Sequence, residues 1–287
     1  MFGTRALSSV FLIAAVLALF FIGGYPLAAA LLAVSLIGYW ELSKAMNNPN
    51  AVPGAERSPL PNKKKFDSMD IMAVVGIVLY YIVMVFLHDT SYQFAAVITF
   101  IVGILFAYVS KFPNLQIDRI ANLIFAIIYC PVFLSFIYMT REFGDDGKWL
   151  IWLIVISSWG CDTFAYLFGR AYGKKKVFPT LSPNKSLAGC IGGVLSSGIL
   201  GATYGYFYVC KITGEKYIFI FTAVICMVGA FMGMAGDLVA SGIKRHKGFK
   251  DYSKLIPGHG GVMDRFDSML VCSVAVYALS LAMIKIW

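Results

Sequence analysis

The sequence predicts an all-α fold: a polytopic integral membrane protein of about nine transmembrane helices with a cytoplasmic N-terminus. Three observations carry this. Of 287 residues, 59% are apolar and only 14% charged, with a mean hydropathy of +0.77, whereas soluble domains carry about 25% charge. The apolar residues gather in repeated runs of about 18 or more, the length a helix needs to cross the hydrocarbon core. The lysines and arginines between these runs are unevenly shared. Helices are the expected form because in lipid they satisfy their own backbone hydrogen bonds.

In chain order the spans fall at 6–23, 25–46, 69–87, 92–110, 119–140, 149–169, 187–210, 217–243 and 266–286. The first apolar run follows Arg5 as a signal peptide would, but no small-x-small cleavage pattern follows it, so it reads as a first span. A tight Gly23-Gly24-Tyr25-Pro26 turn joins it to the second. With the N-terminus inside, Arg141, Lys148, Lys211, Lys216 and Lys285 lie outside and the other 19 of the 24 lysines and arginines lie inside. The C-terminus is then outside. The net charge of +9 faces mainly the cytoplasm, where it also suits anionic lipid heads. Lys63, Lys64 and Lys65, near Pro53, Pro59 and Pro61, read as a linker. No internal repeat is evident, so the inverted-repeat pattern of many transporters is lacking. The six cysteines form no C-x-x-C and read as small hydrophobes in helices. The organisation expected is a scaffold of helices over 1–145 and a catalytic region over 146–287, with cytoplasmic loops at 170–186 and 244–265.

Chemistry concentrates in that second region. Asp162 lies about 12 Å into its span, eight residues at about 1.5 Å each. A carboxylate there costs about 2.5–3.5 kcal/mol, so its presence asks for a function. Asp237 follows Gly229, Gly233 and Gly236, whose spacing suits close helix approach; packing explains the glycines and leaves the acid unexplained. Asp264 and Asp267 open the last span and share a helical face. The helix dipole favours one acid there. Two such acids, with Asp237 across the loop, suggest a hard cation that takes oxygen ligands and leaves room for phosphate oxygens.

The basic partners sit in two loops. "GRAYGKKKVFPTLSPNKS" supplies Arg170, Lys174, Lys175, Lys176 and Lys185, with Ser182 and Ser186. Ser186 is a natural N-cap, and the helix start after it is a place for a phosphate. "SGIKRHKGFKD" supplies Lys244, Arg245, Lys247 and Lys250. Gly258, Gly260 and Gly261 flank His259 and let backbone approach a ligand or simply turn the chain. Arg265 follows Asp264. A membrane-surface site with many phosphate-binding cations and a divalent metal suits phosphoryl or nucleotidyl transfer. Neither a P-loop nor a kinase motif set is present.

These blocks resemble the phosphatidate cytidylyltransferase (CDP-diacylglycerol synthase) family. The pattern S-x-x-K-R-x4-K-D, then P-x-H-G-G-x-x-D-R-x-D, is met by Ser241, Lys244, Arg245, Lys250, Asp251, Pro257, His259, Gly260, Gly261, Asp264, Arg265 and Asp267. Upstream, Asp162 to Lys174 fits D-x-x-A-Y-x-x-G-R-x-x-G-K, and Ser182 to Ser186 fits S-P-x-K-[ST]. The family's usual glutamate two residues after that block is here Ala188, with Asp162 as a candidate substitute.

The resemblance implies CTP + phosphatidate → CDP-diacylglycerol + pyrophosphate, dependent on Mg²⁺ and, as a further expectation, on a second cation such as K⁺. It implies catalytic roles for Asp237, Lys250, Asp264 and Asp267, with metal held by Asp237, Asp264 and Asp267 and by Asp162. Substrate would be bound by Arg170, Lys174, Ser182, Lys185, Ser186, Lys244, Arg245, His259, Gly260, Gly261 and Arg265. The expected partners are the two substrates, the lipid bilayer and a second copy in a homodimer, without nucleic acid. The enzyme would lie in the cytoplasmic membrane with its site facing the cytoplasm. Alternatives are a CTP-dependent polyprenol kinase, a cation-coupled transporter, and a non-catalytic paralogue suggested by Ala188.

Overall fold

The computed structural model describes residues 2–48, 67–87, 89–256 and 260–284. Lys63 to Lys65, Lys285, Pro257, Gly258 and the expected substrate residue His259 lie outside the described residues. The nine expected spans all appear as helices: α1 (Phe2–Ile22), α2 (Gly24–Met46), α3 (Ser68–Phe86), α4 (Thr90–Ser110), α5 (Ile117–Arg141), α6 (Gly144–Tyr172), α7 (Leu187–Thr213), α8 (Ile218–His246) and α9 (Met263–Ile284). Eight are long and apolar enough to cross a membrane, and α1 carries a shorter apolar stretch, Val10–Ile22. The protein is thus all-α and polytopic. A short antiparallel hairpin, β1 (Lys176–Phe178) and β2 (Ser182–Ser186), breaks the pattern between α6 and α7. Pro179 in its turn is a common device for such a reversal.

Local chemistry sets the helix ends. Asp67 and Asp70 form a reciprocal capping box at the start of α3. Asp89 caps α4, and the Ser91 amide it accepts from holds its carboxyl below the usual carboxylate range. Ser186 caps α7 through the amide of Gly189, as the sequence predicts. π-helical turns interrupt α5 at Ile128–Val132, α6 at Ile156–Gly160 and α7 at Gly205–Val209. The first contains Pro131, which cannot donate to the ladder. In the second, Ser157 and Ser158 donate back to the carbonyls of Leu153 and Ile154.

The chain packs as two compact units, one of residues 1–135 with 244–265 and one of residues 136–243 with 266–287.

In the first unit, α2, α3 and α5 bury Tyr39, Leu42, Ala73, Ile77 and Leu123. A polar cluster crosses this apolar core. Asp70, fully buried, accepts from Arg119 at 2.7 Å and from the Tyr39 hydroxyl at 2.9 Å, and Arg119 also pairs with Asp67 at 3.2 Å. Paired and hydrogen-bonded, these charges are tolerated away from water.

In the second unit the helices touch through glycine. A Cβ at Gly189 would lie 2.6 Å from the Ala165 carbonyl oxygen, so α6 and α7 meet backbone to backbone. A Cβ at Gly236 would lie 2.7 Å from the Asp267 carbonyl oxygen and one at Gly229 3.0 Å from Val276. The glycine spacing in α8 thus does serve close packing, here against α9.

Candidate active site

The second unit brings together one group of predicted residues. The Lys185 ammonium, at the end of β2, pairs with Asp237 Oδ2 at 2.6 Å and donates to the Met234 carbonyl oxygen at 3.3 Å. Both side chains keep partial exposure, 18% for Lys185 and 27% for Asp237. Ser241 donates to the other Asp237 oxygen at 3.4 Å. Asp162, just after the π-helical turn of α6, lies within electrostatic reach of Asp237 and Lys185 and accepts from the Ser268 hydroxyl at 3.3 Å. π-turns are frequent at functional sites because they re-aim the side chains around them. Asp267 accepts the amide of Ser268 at 2.8 Å. An acid from α6, an acid from α8 and a lysine from the hairpin thus interact in one place.

Arg170 and Lys174 are exposed, and Ser182 is half-buried in β2. Ser186 is buried, and its hydroxyl is occupied by the Gly189 amide. The Leu187 amide donates to the Lys175 carbonyl at 2.9 Å. Two amides at the start of α7 are therefore already bound, contrary to the expectation that this helix start is free to hold a phosphate. A Cβ at Gly173 would lie 2.6 Å from the Ser186 hydroxyl oxygen. The glycine of the upstream block thus makes room for the cap.

An apolar groove of about 460 Å³ in the same unit is lined by Leu187, Ile191, Val194, Phe231 and Leu238, with Lys185 as its charged member.

The first unit holds the other group. Asp264 is nearly buried and fully engaged. Its Oδ1 pairs with Lys244 at 2.8 Å, and its Oδ2 accepts the amides of Tyr252 at 2.9 Å and Gly261 at 3.0 Å. The Lys244 ammonium also lies 5.5 Å from the Tyr252 ring centre, a cation–π distance. The expected role of Asp264 as a metal ligand has to be set beside this company: here the carboxylate ties the loop to the start of α9. Gly260 has φ 84°, which favours glycine, and a Cβ there would lie 2.9 Å from Asp264 Oδ2. Arg245, Lys250 and Arg265 are exposed around this frame. Sequence reasoning missed Glu41 of α2, which accepts the amides of Val262 and Met263 and the Ser253 hydroxyl. The signal was present, since a lone acid in an apolar helix is the pattern that marked Asp162.

Among the described residues no three His, Cys, Asp or Glu side chains form a metal-binding group. The donor chemistry still fits the expected cation, because Mg²⁺ is commonly held by one or two carboxylates, with water and substrate phosphates completing its shell. Asp162 and Asp237 are hard oxygen donors of that type.

With the geometry in view, known proteins add a consistent picture. A model of the cytidylyltransferase family matches residues 3–283. A Staphylococcus aureus protein named phosphatidate cytidylyltransferase is 41% identical over 145 residues, 50% of this chain and 53% of the relative. One of that name from Staphylococcus haemolyticus is 39% identical over the same lengths. A third, from Rickettsia conorii, is 33% identical over 176 residues, 60% of this chain and 75% of the relative. The chain spans about half the length of the staphylococcal relatives it matches. With the family match running almost end to end, the chain belongs to the cytidylyltransferase family.

Proposed function

We propose that this protein makes CDP-diacylglycerol from CTP and phosphatidate, releasing pyrophosphate. The observation that carries the reading is the meeting of Asp162, Asp237 and Lys185 beside an apolar groove. A lysine lining an apolar groove suits a substrate with an anionic phosphate on a hydrocarbon body. The relatives' names point to the same lipid.

In the reaction, an oxygen of the phosphatidate phosphate attacks the α-phosphorus of CTP. A new P–O–P bond forms, the bond from the α-phosphorus to the bridging oxygen breaks, and pyrophosphate leaves with that electron pair. The attacking oxygen is already anionic, so no general base is required. Lys185 holds the lipid phosphate, and the acyl chain lies along Ile191 and Val194. The resemblance assigns Arg245, Lys250 and Arg265, as it does Arg170 and Lys174, to binding of the triphosphate, for which positioning and charge do most of the work. Asp162 and Asp237 would hold Mg²⁺, which when bound supplies charge neutralisation at phosphate oxygens. Asp264 instead holds Lys244 and the amides of Tyr252 and Gly261 in place. The cation asymmetry supports a cytoplasmic N-terminus and a site facing the cytoplasm. A homodimer is proposed from the family resemblance alone.

The test is to incubate the purified protein with CTP, phosphatidate and Mg²⁺. The reading predicts equal amounts of pyrophosphate and CDP-lipid. In a parallel reaction with a polyprenol as acceptor, release of CDP with formation of polyprenyl phosphate would favour the kinase. No nucleotide use with Mg²⁺, Mn²⁺ or K⁺ would favour the non-catalytic paralogue, and recovery in Ala188→Glu would then locate the defect.

A further inference from the structure

Glu41 belongs to neither charged loop and lies in α2, yet it is 3% exposed and its carboxylate is committed to Ser253, Val262 and Met263. A buried carboxylate persists where its oxygens are hydrogen-bonded. Here all three donors come from a segment more than 200 residues later in the chain. Oε1 accepts the Val262 amide at 3.1 Å and the Ser253 hydroxyl, and Oε2 accepts the Met263 amide at 2.9 Å. A Cβ at Gly261 would lie 2.5 Å from Oε2, so glycine at this position lets the carboxylate approach. Asp264 holds the adjoining pieces, the amides of Gly261 and Tyr252. Two carboxylates thus secure four backbone donors between Lys250 and Arg265. The amides that open α9 are taken by Glu41, so they bind protein rather than phosphate.

We propose that Glu41 is a positioning residue for nucleotidyl transfer: from α2 it fixes the turn 260–263 and the chain at Ser253, and so sets where Lys250 and Arg265 meet the triphosphate. It touches neither substrate. The inference rests on the function proposed above, and it makes the second span part of the catalytic apparatus.

The experiment uses the full chain in lipid nanodiscs. It compares wild type with Glu41→Gln, Ser253→Ala and the double variant, reading kcat per folded molecule, KM for CTP, thermal midpoint and amide hydrogen exchange. Glutamine keeps the shape but can present an N–H to the Met263 amide. Displacing reacting groups by about 1 Å can cost about 100-fold. Glu41→Gln should lower kcat per folded molecule by about 10- to 100-fold, speed exchange at 260–263 and leave exchange in the other helices as in wild type. Ser253→Ala should lower kcat less, and the double variant should match Glu41→Gln, as residues sharing one network are non-additive. Wild-type kcat in Glu41→Gln, or a loss fully accounted for by unfolded protein, would overturn the proposal. Should Glu41→Gln not fold, Gly261→Ala, which presses a methyl on Oε2, must lower kcat; unchanged turnover there overturns it equally. If wild type makes no CDP-lipid, the function fails first, and exchange still decides whether Glu41 holds the loop: unchanged exchange at 260–263 sinks that too.

Discussion

At the scale of single residues, Asp237 and Asp264 look interchangeable in sequence and differ in the structure. Asp237 pairs with Lys185 at a partly open position, while Asp264, 4% exposed, holds Lys244 and two amides. Different losses should follow. Asp237→Asn should fold, with a stability change of about 1 kcal/mol or less, and lose Mg²⁺-dependent turnover by about 100-fold or more. Asp264→Asn leaves Lys244 without its ion partner in a mostly buried setting and should cost about 3 kcal/mol of stability as well as turnover. Thermal unfolding of the two purified variants beside their turnover separates the cases. Equal destabilisation by both would contradict the assignment. The candidate acids were legible as charges placed against apolar spans. Their partners were not, because a salt bridge joins residues such as Lys185 and Asp237 that lie far apart in sequence.

At the scale of elements, helices could be read well because length and hydropathy alone define a span. Ends agreed within a few residues wherever a cap or turn residue marked them, as Ser186 does for α7. The hairpin β1–β2 went unread: its strands, Lys176–Phe178 and Ser182–Ser186, are too short to carry an alternating pattern. Glu41 was passed over because the loop that engages it lies more than 200 residues away, and only the fold brings them together. Two predictions belong here. Ser186→Ala should cost about 1 kcal/mol through loss of the α7 cap, seen as a lower thermal midpoint. Gly236→Val would drive a side chain into the Asp267 carbonyl and should sharply reduce folded yield; normal yield and midpoint would contradict the α8–α9 contact.

At the scale of the whole molecule, the central proposal is that a bundle of membrane-spanning helices carries a nucleotidyltransferase whose lipid substrate lies along the apolar groove that Lys185 lines. Val194→Trp would fill part of that groove. It should raise KM for long-chain phosphatidate while leaving KM for CTP and for a short-chain analogue near wild type; equal effects on both lipids would place the acyl chain elsewhere. Chelating Mg²⁺ should abolish turnover, and adding it back should restore it. The most direct test of the chemistry follows the phosphorus atoms. With phosphatidate, Mg²⁺ and CTP labelled at either the α- or the γ-phosphorus, the α label should pass to the lipid fraction as CDP-diacylglycerol and the γ label should leave as pyrophosphate. Transfer of the γ label to lipid, with the α label left in CDP, would contradict nucleotidyl transfer.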